Sequence, residues 1–378
     1  MAAYYDADTC VLAEFEALID ETLVPERVPH AAEITANVPI YNAGELELEG
    51  PGRRVLMAEW ADVLRNGAGV VVLKGAYADT AAVEAATGIY EAIIAEERAR
   101  SGGGGDHFAA AGKNDRIWNA LQKLCLADPD VYAAYFTNPA IDAVCEAWLG
   151  PNYQMTAQVN VVRPGGAAQE AHRDYHLGFQ TAEGAALYPA HVHDLTPALT
   201  LQGGIAHCDM PVESGPTKLL PFSQRYRPGY AAFRLAEFRE VFEARYVQVP
   251  LVLGDAFFFN PALFHAAGAN VSADIQRMAN LLQVSSAFGR AMESVDRLGM
   301  CKRLYPVLRG RGEDAGLRAL VAATAEGYAF PTSLDSDPPI GGLAPESQAQ
   351  LFLRALAGDW AFEDFCAALD DQAARRQP

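Results

Sequence analysis

Basic residues are scarce. The 378-residue chain carries 29 Lys and Arg against 48 Asp and Glu, a formal net charge of −19. A nucleic-acid binder needs a basic face to neutralise phosphates, and docking on an anionic membrane needs the same. Neither partner is expected. A small-molecule substrate is compatible with this charge, because one pocket can be positive on an acidic protein. Cysteine is also sparse. Cys10, Cys125, Cys145, Cys208, Cys301 and Cys366 are scattered and form no CxxC. That argues against a disulfide framework and for buried, reduced thiols. No apolar run is long enough to span a bilayer. The stretch MAAYYDADTC has no basic region followed by an apolar run, so no secretory signal is expected and the cytoplasm is the expected compartment. There is no internal repeat. The single low-complexity stretch, SGGGGDHF at 101–108, lacks the Lys-Ser/Thr ending of a phosphate loop and reads as a flexible surface connection.

What is present is enough apolar residue, 51%, to bury a sizeable core. Length allows one large domain or two average ones. CVLAEFEALIDETL, AAVEAATGIYEAIIAEERAR and NPAIDAVCEAWLG space their apolar residues as helices do, and NGAGVVVLKGAY reads as a buried strand. From about Tyr153 the texture changes. YQMTAQVNVVRPG, ALTLQGGIAHCDM, KLLPFSQRY, RYVQVPLVL, DAFFFNPALFHAAG and RMANLLQVSSAF are short strand-like runs between turn residues, interrupted by one helix, AAFRLAEFREVFEAR. After about Gly289 helices return, around a Pro- and Gly-rich loop, GYAFPTSLDSDPPIGGL. The expected plan is α+β with a mainly β core, a sandwich or barrel flanked by helices. Residues 1–150 would be helical support, 151–290 the β core and 291–378 a helical extension. No long polar linker divides them, so a single domain over 1–378 is expected.

Within this plan, EAHRDYH at 170–176 stands out. On an extended strand His172 and Asp174 share a face, because side chains repeat with period two. Arg173 and Tyr175 would take the other face and pack. A histidine and a carboxylate make two corners of a metal site. His265, at the end of the aromatic run that begins with Gly254-Asp255, supplies a third. Two histidines and one carboxylate on one face of a metal leave three positions open, as in non-haem iron(II) oxygenases. A bidentate keto acid takes two and dioxygen one. The keto acid's far carboxylate needs a fixed partner, and Arg277, opening the next strand-like run, has the planar fork for it.

In these residues the chain resembles the phytanoyl-CoA dioxygenase family of Fe(II)/2-oxoglutarate-dependent oxygenases. The resemblance runs from about Asn66 to Ala287. It is carried by NGAGVVVLKG, HRD, CDMPVESGPTKLLPFSQRY, GDAFFFNPALFH and NVSADIQR. It implies a double-stranded β-helix, or jelly roll, with iron at its open end. It implies His172, Asp174 and His265 as iron ligands, Arg277 on the C5 carboxylate of 2-oxoglutarate, and Fe(II), 2-oxoglutarate and O2 as cofactor and cosubstrates. The implied reaction hydroxylates, or otherwise oxidises, an unactivated C–H of a small metabolite and releases succinate and CO2. Ser223-Gln224 departs from the Ser-His of relatives, and nothing catalytic hangs on it. Asp174 is where related halogenases place a small residue, so oxidation rather than halogenation is implied.

Other polar residues fall around this centre. Gln158 and Asn160 share a face of the strand before the motif and, with Thr217, are candidates for cosubstrate binding. His176, His207 and Gln202 are weaker candidates for substrate contact. Trp118 and Arg163 are candidates for the substrate wall. HVHDL at 191–195 reads as part of a lid rather than as a second metal pair. Gly254-Asp255 reads as a tight structural turn. Two rival readings stay open: a non-catalytic jelly-roll binding protein, and a cupin-like metalloenzyme using His172, His176 and His265 without a keto acid. Neither needs a buried arginine at position 277. Oligomeric state is not legible in the sequence.

Overall fold

The computed structural model describes residues 2–101, 114–330, 333–339 and 341–377. The glycine run at 102–108 lies outside them, as do parts of the 327–343 loop. Among the described residues the chain forms a mixed α/β structure of ten strands and fourteen helices. The strands are β1 (Glu33–Thr35), β2 (Val38–Asn42), β3 (Val70–Lys74), β4 (Asn114–Ile117), β5 (Gln154–Val162), β6 (Thr200–Ala206), β7 (Lys218–Leu219), β8 (Ala256–Phe259), β9 (His265–Ala266) and β10 (Arg277–Ser285). Eight of them form one sheet in the order β1-β2-β3-β8-β6-β10-β5-β4, antiparallel except for β2 with β3. The other two, β7 and β9, pair antiparallel. Single bridges extend that small sheet, Leu219 to Val247 on one side and His172 to His265 on the other.

Strand alternation assigns the two faces of the large sheet. Val71, Leu73, Met155, Ala157, Val159, Leu201, Ile205, Phe258 and Leu282 point to one side and join the core formed with the helices. Those helices come from both ends of the chain, including Gly50–Asn66, Pro139–Leu149, Arg297–Leu308 and Gln348–Ala357. Burying each such Val, Leu or Phe contributes about 1.5–3 kcal/mol. The alternate residues, Val70, Val72, Phe257 and Phe259, point the other way and pack with Leu219, Val249 and Leu263 between the two sheets. A third apolar cluster, built on Phe15, Tyr230, Phe238 and Phe264, backs the small sheet.

Local signals explain the boundaries. Pro139 opens its helix behind Asn138, whose side chain accepts from the N–H groups of Ala140 and Ile141, and Gly150 closes it at φ 83°. Three expected elements differ. The run DAFFFNPALFH is two strands, β8 and β9, not one. Pro261 has no N–H for a ladder, and Asn260 folds into a turn by accepting from Ala262 N and donating to Leu64 O. RYVQVPLVL makes only the bridges at Val247 and Leu251. The helix expected over AAFRLAEFREVFEAR is split into Gly229–Ala232 and Ala236–Arg245.

Candidate metal centre

The HRD segment is extended but not part of a ladder. His172 exchanges both backbone hydrogen bonds with His265, at 3.0 and 3.1 Å, and Asp174 N donates to Pro261 O at 3.1 Å. The expected strand face is therefore one bridge wide. Arg173 does the rest of the anchoring. Its side chain is buried (2% exposed), donates to Ser223 O and Tyr226 O at 2.6 and 2.9 Å, and sits 5.1 Å from the Tyr230 ring and 5.2 Å from that of Phe264. Gly229 leaves room for it: a Cβ there would come within 1.9 Å of the guanidinium carbon. Arg173 thus pegs the segment to the apolar cluster behind the small sheet, and His172 and Asp174 project the other way.

The bridge brings the two histidines together with Asp174. One ligand atom from each of the three lies within 4.8 Å of the others, and no other such cluster of three occurs among the described residues. Both rings are fixed in the same sense. Nδ1 of His172 donates to Glu170 O and Nδ1 of His265 to Leu263 O, each at 2.8 Å. That places the proton on Nδ1 and leaves each Nε2 lone pair free. His172 Nε2 is 3.8 Å from Asp174 Oδ1, and His265 Nε2 is 3.4 Å from Asp174 Oδ2. Gln202, on β6, donates to Asp174 Oδ2 at 2.5 Å. One carboxylate oxygen is thereby held by the protein and the other left for an ion. Burial raises the pKa of Asp174, but His172, His265 and Gln202 together outweigh it and hold the group well below the ordinary carboxylate range. Burial, helped by His265, lowers the pKa of His172 and favours its neutral, ligating form. Two imidazoles whose Nδ1 atoms are held by carbonyls, together with a carboxylate, fit a divalent metal of the iron type.

The centre opens into a cavity of about 810 Å³ between the sheets. Arg277 lies on its wall, 7% exposed. Its Nη1 donates to Ser214 O and Gly268 O at 3.0 and 3.1 Å. No carboxylate pairs with it among the described residues. Burial lowers its pKa to about 10, so it stays charged at neutral pH. A buried guanidinium held by carbonyls and without an acid has the charge and the planar fork to pair with a ligand carboxylate.

Gln158, Asn160, Thr217, Gln202 and Trp118 also line the cavity. Three expected residues do not. His207 lies on the helix side of the sheet, where Tyr135 OH donates to Nε2 at 2.7 Å and Nδ1 donates to Thr87 Oγ1 at 2.8 Å. Gln202 and His207 are an odd number of residues apart, so they take opposite faces. His176 has φ 42°, which turns its ring away; its Nδ1 meets Thr196 Oγ1 at 2.6 Å. The three-histidine site of the cupin-like reading is therefore not assembled. Arg163 pairs with Asp115 instead of lining the wall. His193 of HVHDL is buried edge-on against Tyr5 and holds no metal partner among the described residues. Asp255 is structural, as expected. Its carboxylate accepts from Gly75 N, Lys74 Nζ and Val252 N, each at 2.8 Å. Gln224 is structural too, donating to Gly67 O at 2.8 Å. Arg116, which no sequence signal marked, lines the cavity from β4 because it lies directly opposite Asn160.

Residues 66–279 match the family described as Phytanoyl-CoA dioxygenase (PhyH). The chain belongs to this family. It is a non-haem iron, 2-oxoglutarate-dependent oxygenase. Solved structures are similar at low identity. The non-heme alpha ketoglutarate dependent carbocyclase SnoK from nogalamycin biosynthesis is 22% identical over 65% of this chain and 86% of its own, with a TM-score of 0.46. The epimerase SnoN in complex with Fe3+, alpha ketoglutarate and nogalamycin RO is 20% identical over 69% and 93%, at 0.43. EvdMO1 is 16% identical over 62% and 50%, at 0.44. Likenesses this distant carry no argument about chemistry. A search of curated proteins found no match. No helix among the described residues is long and apolar enough to cross a membrane.

Proposed function

We propose that His172, Asp174 and His265 bind Fe(II), that Arg277 binds the distal carboxylate of 2-oxoglutarate, and that the enzyme hydroxylates an unactivated C–H of a small metabolite with release of succinate and CO2. The observation that carries this reading is the pairing of a His-Asp-His cluster, its Nε2 atoms free, with a buried arginine lacking an acid on the same cavity wall. The two facing sheets, with the centre at one end of the space between them, fit a double-stranded β-helix. The apolar core shared by the large sheet and the helices of both chain ends supports a single domain over 1–378.

When bound, iron with 2-oxoglutarate supplies the activation of dioxygen. The chain's own residues bind, orient and exclude. His172 and His265 keep their protons on Nδ1, so both present lone pairs without a proton having to leave. Gln202 holds one oxygen of Asp174 and fixes the carboxylate's rotation. Arg277 sets the keto acid's position by its far end, so that its near end meets the centre in one orientation. Gln158, Asn160 and Thr217 line the space between and are placed to hydrogen-bond the cosubstrate or substrate. Val72, Phe257, Phe259 and Leu281 exclude water from the cavity's inner wall.

The test is succinate formation dependent on Fe(II) and 2-oxoglutarate across a panel of small metabolites, with ascorbate present. Loss of that formation in Asp174→Ala is expected. Undiminished formation in Asp174→Ala would overturn the ligand assignment.

A further inference from the structure

Amide side chains line the cavity at both ends of the sheet face. Asn160 lies near Arg277, because its register partner Ala279 follows Arg277 by two residues on β10. Gln283 stands at the other end of the same face of β10, about 20 Å along the strand from Arg277 at the usual rise. Directly across from Gln283, on β6, is Gln202, the residue that donates to Asp174. A keto acid reaching from the centre towards Arg277 therefore leaves the side marked by Gln202 and Gln283 to another ligand.

The protein does not satisfy these two amides. Gln202 is 5% exposed and Gln283 8%, and Oε1 of each is buried without a hydrogen-bond partner among the described residues. Opposite residues on one sheet face are close enough to bond each other, yet these do not. The Gln202 amide has one orientation, because its nitrogen must face the carboxylate of Asp174. Gln283 uses its backbone, accepting from Thr156 Oγ1 at 2.7 Å, and leaves its side-chain oxygen unmet. A buried acceptor without a donor is costly, so the pair calls for a ligand that donates. A hydroxyl suits it better than a cation. A hydroxyl both donates and accepts, so it can meet either atom of an amide. A cation would call for a carboxylate, and the two that line the cavity are committed: Asp174 to the His-Asp-His cluster and Glu170 to Arg239 at 3.0 Å. At the mouth, Phe179 is 58% exposed and Met292 37%, which favours an apolar portion on the same ligand.

Resting on the functional reading above, in which 2-oxoglutarate takes the Arg277 side, we infer that the prime substrate is a neutral molecule that joins a polyhydroxylated part to an apolar part. Neighbouring hydroxyls meet the amides of Gln202 and Gln283, and the apolar part lies against Phe179 and Met292.

A matched pair of probes tests this on the full chain. Phenyl β-D-xylopyranoside and 2-phenoxytetrahydropyran share one skeleton and differ by the sugar hydroxyls. Both are titrated by calorimetry into protein loaded anaerobically with Fe(II) and 2-oxoglutarate. The xyloside is expected to bind about tenfold tighter or more, although the other probe is the more apolar. Gln283→Met should remove most of that preference, because it keeps the size of the side chain and loses the amide. Phe179→Ala, at an exposed position, should weaken both probes alike, which localises them to this mouth. No binding of the xyloside, equal affinity of the two probes, or an unchanged preference in Gln283→Met would overturn the inference, and water would then be what meets the two amides. Tighter binding of benzylammonium than of the xyloside would overturn the choice of a neutral ligand. The visible absorption of the iron–keto acid complex in the same samples separates the two levels. If that band forms while the probe preference is absent, only the substrate class fails. If the band does not form, the functional reading fails and the inference with it.

Discussion

Replacing Arg277 by methionine removes the guanidinium and keeps most of the stem. In the native chain Nη1 is occupied by Ser214 O and Gly268 O, so the outer edge of the fork is left to meet a ligand. Each hydrogen bond to a charged group contributes about 1.5–3 kcal/mol, so a two-point carboxylate pair is worth about 3–6 kcal/mol. At 1.4 kcal/mol per tenfold, the variant should bind 2-oxoglutarate about 10²- to 10⁴-fold more weakly. The control is 2-oxopentanoate, which has the same chain length and chelating end but no distal carboxylate. The native protein should prefer 2-oxoglutarate over it by a factor of that size, and Arg277→Met should show little preference. Anaerobic titration of Fe(II)-loaded protein, followed by absorption or calorimetry, measures both. The substitution also strips a donor from two buried carbonyls, so a lowered melting temperature is expected, and circular dichroism must show that the variant is folded at the assay temperature. A folded variant with the native preference between the two keto acids would refute the role given to Arg277.

Gln202→Leu should weaken metal binding about 10- to 100-fold, measured with Mn(II) by calorimetry, because it frees the carboxylate of Asp174 to rotate. Unchanged Mn(II) affinity would remove Gln202 from the centre. Arg173→Met should destabilise the fold by about 2–4 kcal/mol in denaturant titrations, through loss of two buried hydrogen bonds and two ring contacts. A native midpoint would show that Arg173 is not the peg. Burial lowers the pKa of His207 to about 3, against an unfolded value near 6.5. The unfolded chain therefore takes up this proton first, and stability falls as pH drops from about 6.5 towards 3. Between pH 6.5 and 5 the loss attributable to His207 is about 2 kcal/mol, and His207→Gln should lack it. Parallel stability curves for the two proteins would contradict that assignment.

The grouping of His172, Asp174 and His265, proposed above to hold iron, was legible in the sequence because its signal is short and local. HRD needs only an extended backbone, and His265 sits where an aromatic run ends. The place of Arg277 on the same cavity wall was legible because it opens a strand beside that run. The errors have physical sources too. His207 sits in a second H-x-D and imitates a ligand, yet its odd spacing from Gln202 along β6 already placed the two on opposite faces. Gln202's grip on Asp174 was not readable, because it depends on the packing of β6 against a non-ladder segment far away in sequence. Arg116 was missed for the same reason: its face is set by register with Asn160, not by its own neighbours. The helix Gly50–Asn66 was not singled out because GPG at its start looks like a turn, while its buried stripe of Leu56, Trp60, Val63 and Leu64 emerges only later.

The most direct test of the whole account is an anaerobic titration of the protein with Fe(II) and then 2-oxoglutarate, watching for the weak visible charge-transfer band of a chelated keto acid. The account predicts that the band forms with the native protein and is lost in His172→Ala. Iron binding with no band would contradict the role of Arg277. Failure to bind iron at all would contradict the centre itself and leave a ligand-binding protein in its place.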